Sequence, residues 1–201
     1  VVRRSGADRY STAAAISKAS YNPGVAKVYI ASGTSFPDAL AGAAAAGMQD
    51  SPVLLVPGTT IPAPIRAELE RLDPKQIVIL GGTGAVSTNL ATALKPYTSG
   101  AVVRLSGADR YSTAAAISKA SYNPGVAKVY IASGTSFPDA LAGAAAAGMQ
   151  DSPVLLVPGT TIPAPIRAEL ERLDPKQIVI LGGTGAVSTN VATALRGYVS
   201  G

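Results

Sequence analysis

The chain has 201 residues, 47% of them hydrophobic, and a formal charge of +5 from 17 Lys and Arg against 12 Asp and Glu. That is enough apolar material for two small domains or one larger one with a proper core. There is no Cys and no His, which excludes disulfides, thiol nucleophiles, imidazole bases and metal sites built on thiolate or imidazole ligands.

Read in chain order, the first hundred residues alternate strand and helix signals. Residues 1–4 are a short apolar run broken by Gly6, and Asp8 opens a helix through about Tyr21. Tyr10, Ala13, Ala14, Ile16 and Ala19 are expected to form its apolar side. A second strand at 27–31 ends in Ser32-Gly33. Phe36-Pro37-Asp38 then starts an Ala-rich helix to about Met48, with Pro placed comfortably in a first turn. A third strand at 52–56 runs into Pro57-Gly58-Thr59-Thr60. The helix at 64–72 turns Ile65, Leu69 and Leu72 inward and stops at Asp73-Pro74. A fourth strand at 76–80 precedes Gly81-Gly82-Thr83-Gly84, and a last helix carries Leu90 and Leu94. Continuous apolar strands such as Val53-Leu54-Leu55-Val56 predict burial on both faces, hence an α/β fold with a parallel sheet flanked by helices.

This pattern occurs twice. Residues 6–89 reappear unchanged as 107–190, and the copies differ only at Arg4/Leu105, Leu90/Val191, Lys95/Arg196, Pro96/Gly197 and Thr98/Val199. Two modules, 1–100 and 102–201, are therefore expected. Identity through every exposed loop means either a very recent duplication or design from one template, and design is favoured.

No apolar run reaches bilayer-spanning length, so no membrane partner is expected. No basic-then-apolar leader opens the sequence, and an extracellular chain would have lost its signal peptide ahead of Val1. The positive charge favours anionic partners. Its scattered distribution, without a dense Lys/Arg run or interleaved aromatics, argues against nucleic acid.

In an open parallel sheet, ligands gather beyond the carboxyl ends of the strands. Four loops leave that edge in each module, around 5–9, 32–38, 57–60 and 81–87, each with Gly and Ser or Thr ahead of a helix. Amide N–H groups and helix dipoles there suit phosphate or carboxylate. Tight turns and helix caps explain the same residues without a ligand. The candidate binding residues are Arg3, Arg9, Gly33, Thr34, Asp38, Gly82 and Thr83, with their copies Arg104, Arg110, Gly134, Thr135, Asp139, Gly183 and Thr184. The alternative for Arg9 is a structural pair with Asp8 or Asp38.

No catalytic constellation is found. The Gly82-Thr83-Gly84 stretch lacks the last Gly of a dinucleotide fingerprint and the acidic residue that should follow it. Asp8 and Asp38 share the predicted rim, but Asp at a helix start is more often a cap. Glu68 and Glu70 lie two apart on a helix, face different ways, and are expected to be solvated. No cofactor or metal is expected.

Ordered motifs carry a resemblance: Ser5-Gly6-Ala7-Asp8-Arg9-Tyr10, Phe36-Pro37-Asp38-Ala39-Leu40, Ser51-Pro52-Val53-Leu54-Leu55 and Ile79-Leu80-Gly81-Gly82-Thr83-Gly84. They resemble, in both modules, the cell-wall-binding repeat type 2 family. The resemblance implies a modified Toprim-like or flavodoxin-like module from secreted, S-layer-associated surface proteins of Gram-positive bacteria. It implies an anionic cell-wall polysaccharide as partner, with Pro52-Val53-Leu54-Leu55 matching a motif associated with polymer attachment. Val53 and Leu55 equally suit a plain buried strand. Toprim chemistry is not implied, because the third loop carries no acid. The family commonly packs three repeats as a pseudo-threefold trimer, which two modules cannot close within one chain, so homo-oligomerisation is expected.

Overall fold

A computed structural model describes residues 1–136 and 138–200. The elements follow the sequence pattern closely: α1 (Arg9–Ser20), β1 (Val28–Ser32), α2 (Pro37–Met48), β2 (Val53–Val56), α3 (Ala63–Leu72), β3 (Ile77–Leu80) and α4 (Thr88–Ala93). The second repeat gives β4 (Val102–Leu105), α5 (Arg110–Ser121), β5 (Lys128–Ser133), α6 (Pro138–Met149), β6 (Val154–Val157), α7 (Ala164–Leu173), β7 (Gln177–Ile180) and α8 (Thr189–Leu195). Every strand pairing is parallel, in two sheets ordered β2-β1-β3-β4 and β6-β5-β7.

Packing units and sequence repeats do not coincide. The chain divides into one compact unit of residues 1–39 and 49–105 and a second of residues 40–48 and 106–201. The run at the start of the second repeat, Val102–Leu105, is the fourth strand of the first unit's sheet, with Ile77 opposite Val102 and Leu80 opposite Leu105. Residues 1–4, its counterpart, form no strand.

Within the first unit, Val28, Ile30, Leu54, Val56, Ile77 and Ile79 form one core with Ile65, Leu69 and Leu72 of α3 and Leu90 and Leu94. The three α3 side chains have 0% relative exposure, and the i, i+4, i+7 spacing puts them on one stripe. Each contributes about 1.5–3 kcal/mol through burial. Asp8 caps α1 in a capping box with Ser11, and Asp73 ends α3 in the left-handed region.

Three expectations need correction. Ile16 is 48% exposed although its copy Ile117, at the same position of an identical helix, is 1% exposed, so place on the helix does not by itself set its burial; Ala19 is exposed as well. Val53 and Leu55 are only half-buried in β2, while all four residues of β6 are buried. Glu68 is not solvated. It is 4% exposed, accepts from Ser17 Oγ at 2.5 Å and is paired with Arg71 at 2.7 Å. Arg71 also donates to the carbonyl of Tyr21 at 3.0 Å, so a helix-to-helix polar clasp takes a position on the apolar stripe. Glu169, Ser118 and Arg172 repeat it. Glu70 is exposed, as expected.

In the second unit, α6 lies close to the sheet: a methyl group at Gly143 would collide with Leu181. Residues 40–48 of α2 also belong to this unit. They meet α6 where Gly47 and Gly148 face each other, with room for a methyl on Gly47 only at 3.5 Å from the Gly148 backbone.

Candidate functional site

Parallel pairing places the glycine-rich loops at one end of each sheet, and within each unit they are stitched together. In the first unit the Arg9 guanidinium donates to the carbonyl of Gly33. Gly33 donates its own N–H to Val56 O at 2.8 Å, and Ser87 donates to Gly58 O at 2.8 Å. Gly33 is required sterically: a side chain there would strike the Tyr10 ring at 2.7 Å and the Arg9 stem at 3.1 Å. Gly81 turns the chain at φ +94°, with the Asp38 carboxylate packed where a side chain would go. Arg110 and Gly134, and Asp139 and Gly182, reproduce these contacts in the second unit.

Arg9 donates to a backbone carbonyl, where the expected structural alternative was a carboxylate pair with Asp8 or Asp38. Asp8 is spent on the α1 cap, accepting from Ser11 N at 2.7 Å. Hydrogen bonds from Ser11 hold its carboxyl below the usual carboxylate range, as those from Ser112 do for Asp109.

The amide supply of the rim is narrower than the sequence suggested. Thr34 N donates to Ser32 Oγ at 3.2 Å and the two hydroxyls lie 2.9 Å apart. Ala85 N and Val86 N fold back onto Gly82 O at 3.0 and 3.1 Å. The turn at Gly82, Thr83 and Gly84 keeps amides without a protein acceptor among the described residues. Thr34, Thr83, Gly84 and Arg9 are exposed, as are Gly183, Thr184, Thr135 and Arg110. The turns therefore face solvent, and both copies present them.

Arg3 and Arg104 occupy different places although they are sequence copies. Arg104 lies on β4 and donates to Gly81 O and Val86 O, each at 2.7 Å. Partial burial disfavours its charged form and lowers its pKa. Arg3 does not join the rim. It lines an open groove of about 370 Å³ with Arg4, Ser5, Ala15, Lys18 and Ala19, a basic patch that sequence reasoning did not assemble. Another hollow, about 360 Å³, lies around 20–26 with Gln49 and Asp50, before β1 and away from the rim. Among the described residues no group of acidic side chains could hold a metal ion, and no helix is long and apolar enough to cross a membrane.

The geometry defines a class of domain: a parallel α/β module, repeated twice, with glycine-rich turns facing solvent at one end of each sheet. The chain belongs to the cell wall binding domain 2 family, which it matches twice, over residues 3–91 and 104–192. It is 31% identical over 195 residues to the N-acetylmuramoyl-L-alanine amidase LytC of Bacillus subtilis, covering 97% of this chain and 38% of that protein. It is 32% identical over 197 residues to the amidase enhancer of the same organism, covering 96% of this chain and 26% of that protein. Among solved structures it resembles Cwp6 from Clostridium difficile, with TM-score 0.90, 30% identity, and coverage of 98% of this chain and 31% of that one. Cwp8 from Clostridium difficile shares the fold, with TM-score 0.87 and 23% identity over 99% of this chain and 33% of that one. The chain thus spans well under half the length of these relatives. It is a cell-wall-binding module in two tandem copies.

Proposed function

We propose that the chain holds an anionic secondary polymer of a Gram-positive wall, without catalysis, and so anchors whatever it is attached to at the cell surface or S-layer. The observation that carries this is the duplicated family domain, each copy presenting an exposed Gly-Thr-Gly turn on the same rim as an exposed Arg. Amides and hydroxyls of the turn donate hydrogen bonds to phosphate or carboxylate oxygens, and the +5 charge concentrates a polyanion near both sites. Two weak sites on one chain bind a repeating polymer much more tightly than either alone. The amidase relatives are matched over only part of their lengths, in keeping with an attachment role for the shared part.

Co-sedimentation with purified Gram-positive wall, before and after stripping its anionic polymer, tests this. Retention on untreated wall and loss on stripped wall is the expected result; no retention on untreated wall at low salt refutes it. The second reading is a symmetric scaffold that folds and assembles without a ligand. It is favoured by the unchanged repetition of residues 6–89 as 107–190, and the same refuting result would support it.

A further inference from the structure

We propose that Arg104 is a positioning residue for the anion site of the first unit. By bonding both ends of the turn at Gly82, Thr83 and Gly84 it orients the turn's amides, so that polymer binding and the docking of β4 support each other. The inference rests on the reading of that turn as a polymer site and names the residue that shapes it. Strand β4 opens the second sequence repeat but pairs with β3 in the first unit, with Ile79 opposite Arg104 and Leu80 opposite Leu105. Strand alternation puts Arg104 on the face of Val102, away from Val103 and Leu105. Its guanidinium donates to Gly81 O and Val86 O, each at 2.7 Å. A planar fork spans two acceptors where a single ammonium does not. Partial burial disfavours the cation, a cost that an apolar residue on β4 would not carry. Strand pairing alone therefore does not explain an Arg here.

The clamp decides where the amides point. No cis peptide occurs among the described residues, and in a trans peptide the C=O and N–H point opposite ways. With Gly81 O held by Arg104, the N–H of Gly82 is directed away from the guanidinium. With Val86 O held, the N–H of Ser87 is directed away too, and it donates to Gly58 O at 2.8 Å. Between them Gly82 O accepts from Ala85 N and Val86 N at 3.0 and 3.1 Å. That closes the turn and leaves the N–H groups of Gly82, Thr83 and Gly84 without a protein acceptor among the described residues. Successive free amides in a turn make an anion-binding concavity. The Asp38 carboxylate packed against Gly81 repels an anion there, and a guanidinium bonded to the same residue offsets it.

Strand β4 holds Gly81 through both backbone groups: its N–H donates to Leu105 O at 2.9 Å and its C=O accepts from Arg104. Ile77 N donates to Ala101 O at 3.1 Å at the other end of the same ladder. Opening of β4 releases Gly81 and with it the turn. A ligand that needs the oriented turn binds the docked state better, and by linkage it stabilises docking by the same factor. The site of the first repeat is thus finished by a residue of the second.

The test uses purified, labelled anionic wall polymer at low salt and the full chain carrying Arg110→Gln, which weakens the second rim. On saturation, amide exchange read by NMR is expected to slow about tenfold at Gly81 and Ile77. It should slow less than about twofold at Tyr29, whose N–H donates to Pro52 O on the β2 side of β1. Arg104→Lys keeps the charge without the fork, and Arg104→Gln loses both. Each, added to Arg110→Gln, is expected to bind about tenfold more weakly with circular dichroism unchanged. A Lys variant that binds as tightly as Arg110→Gln alone shows that charge suffices and overturns the positioning role. Bound polymer that slows Gly81 and Tyr29 alike, or slows neither, also overturns it, as does binding by the intact chain that Arg110→Gln abolishes. An intact chain that binds no polymer at the lowest salt refutes instead the polymer reading on which the inference rests.

Discussion

Arg104 reaches across the end of β3 to the carbonyl of Gly81 at 2.7 Å, so a residue of the second repeat closes the rim of the first packing unit. The same side chain holds Val86 O at 2.7 Å, which fixes both ends of the turn containing Gly82, Thr83 and Gly84. Loss of two charge-assisted hydrogen bonds to carbonyls in a partly buried setting costs about 2 kcal/mol. Arg104→Ala should lower stability by that amount in urea unfolding of the dilute chain. Arg3→Ala, at an exposed position, should change it by less than about 0.5 kcal/mol.

The Glu68 clasp gives a second contrast on one helix. Glu68 is 4% exposed and joins Ser17 to Arg71, and Arg71 has its pKa raised chiefly by hydrogen bonding to Glu68. Glu68→Ala strands the guanidinium and the hydroxyl and should cost about 3 kcal/mol. Glu70→Ala, two residues away in solvent, should cost less than about 0.5 kcal/mol. Thermal or urea unfolding of the two variants checks the difference.

Acid should loosen α1 and α5 through their caps. Hydrogen bonds from Ser11 and Ser112 lower the carboxyl pKa of Asp8 and Asp109 in the folded chain. A carboxyl with a depressed folded-state pKa stabilises the fold above its unfolded value, near 3.9, and loses that contribution as pH falls through the folded value. Helicity and Tm are therefore expected to drop below about pH 4, with a shallower drop in the chain carrying Asp8→Asn and Asp109→Asn, which keeps an acceptor but does not titrate. An equally steep drop in that variant contradicts this cause.

Neighbouring glycines should respond differently. Gly81 has φ +94° and the Asp38 carboxylate against it, while nothing lies within 4 Å of a methyl at Gly82. Gly81→Ala should destabilise by about 1–3 kcal/mol, and Gly82→Ala by less than about 0.5 kcal/mol. Unfolding of the two single variants separates a steric requirement from simple loop flexibility.

Element type was legible because it is local. Continuous apolar strands and the Ile65, Leu69 and Leu72 stripe place β2, α3 and β3 within a residue or two of where they are found. What was not legible was partner choice. Residues 1–4 and Val102–Leu105 have nearly the same sequence, yet only the latter pairs in a sheet. Strand allegiance depends on which edge is within reach, and no window of sequence records that. Parallel pairing puts the glycine-rich loops at one end of each sheet, as the strand pattern implied, but their amide supply was overestimated, since Ala85 and Val86 bond back to Gly82. Glu68 could have been found: it sits between Ile65 and Leu69 on the buried arc and three residues before Arg71, a spacing that pairs charges on a helix.

Binding of purified, fluorescently labelled anionic wall polymer to the folded chain, measured across a range of salt, bears most directly on the role assigned to the two rims. Saturable binding that weakens as salt rises is predicted, with at least about tenfold weaker affinity when Arg9→Gln and Arg110→Gln are combined and the circular dichroism is unchanged. A polymer that fails to bind at the lowest salt, or binds the double variant equally well, contradicts it.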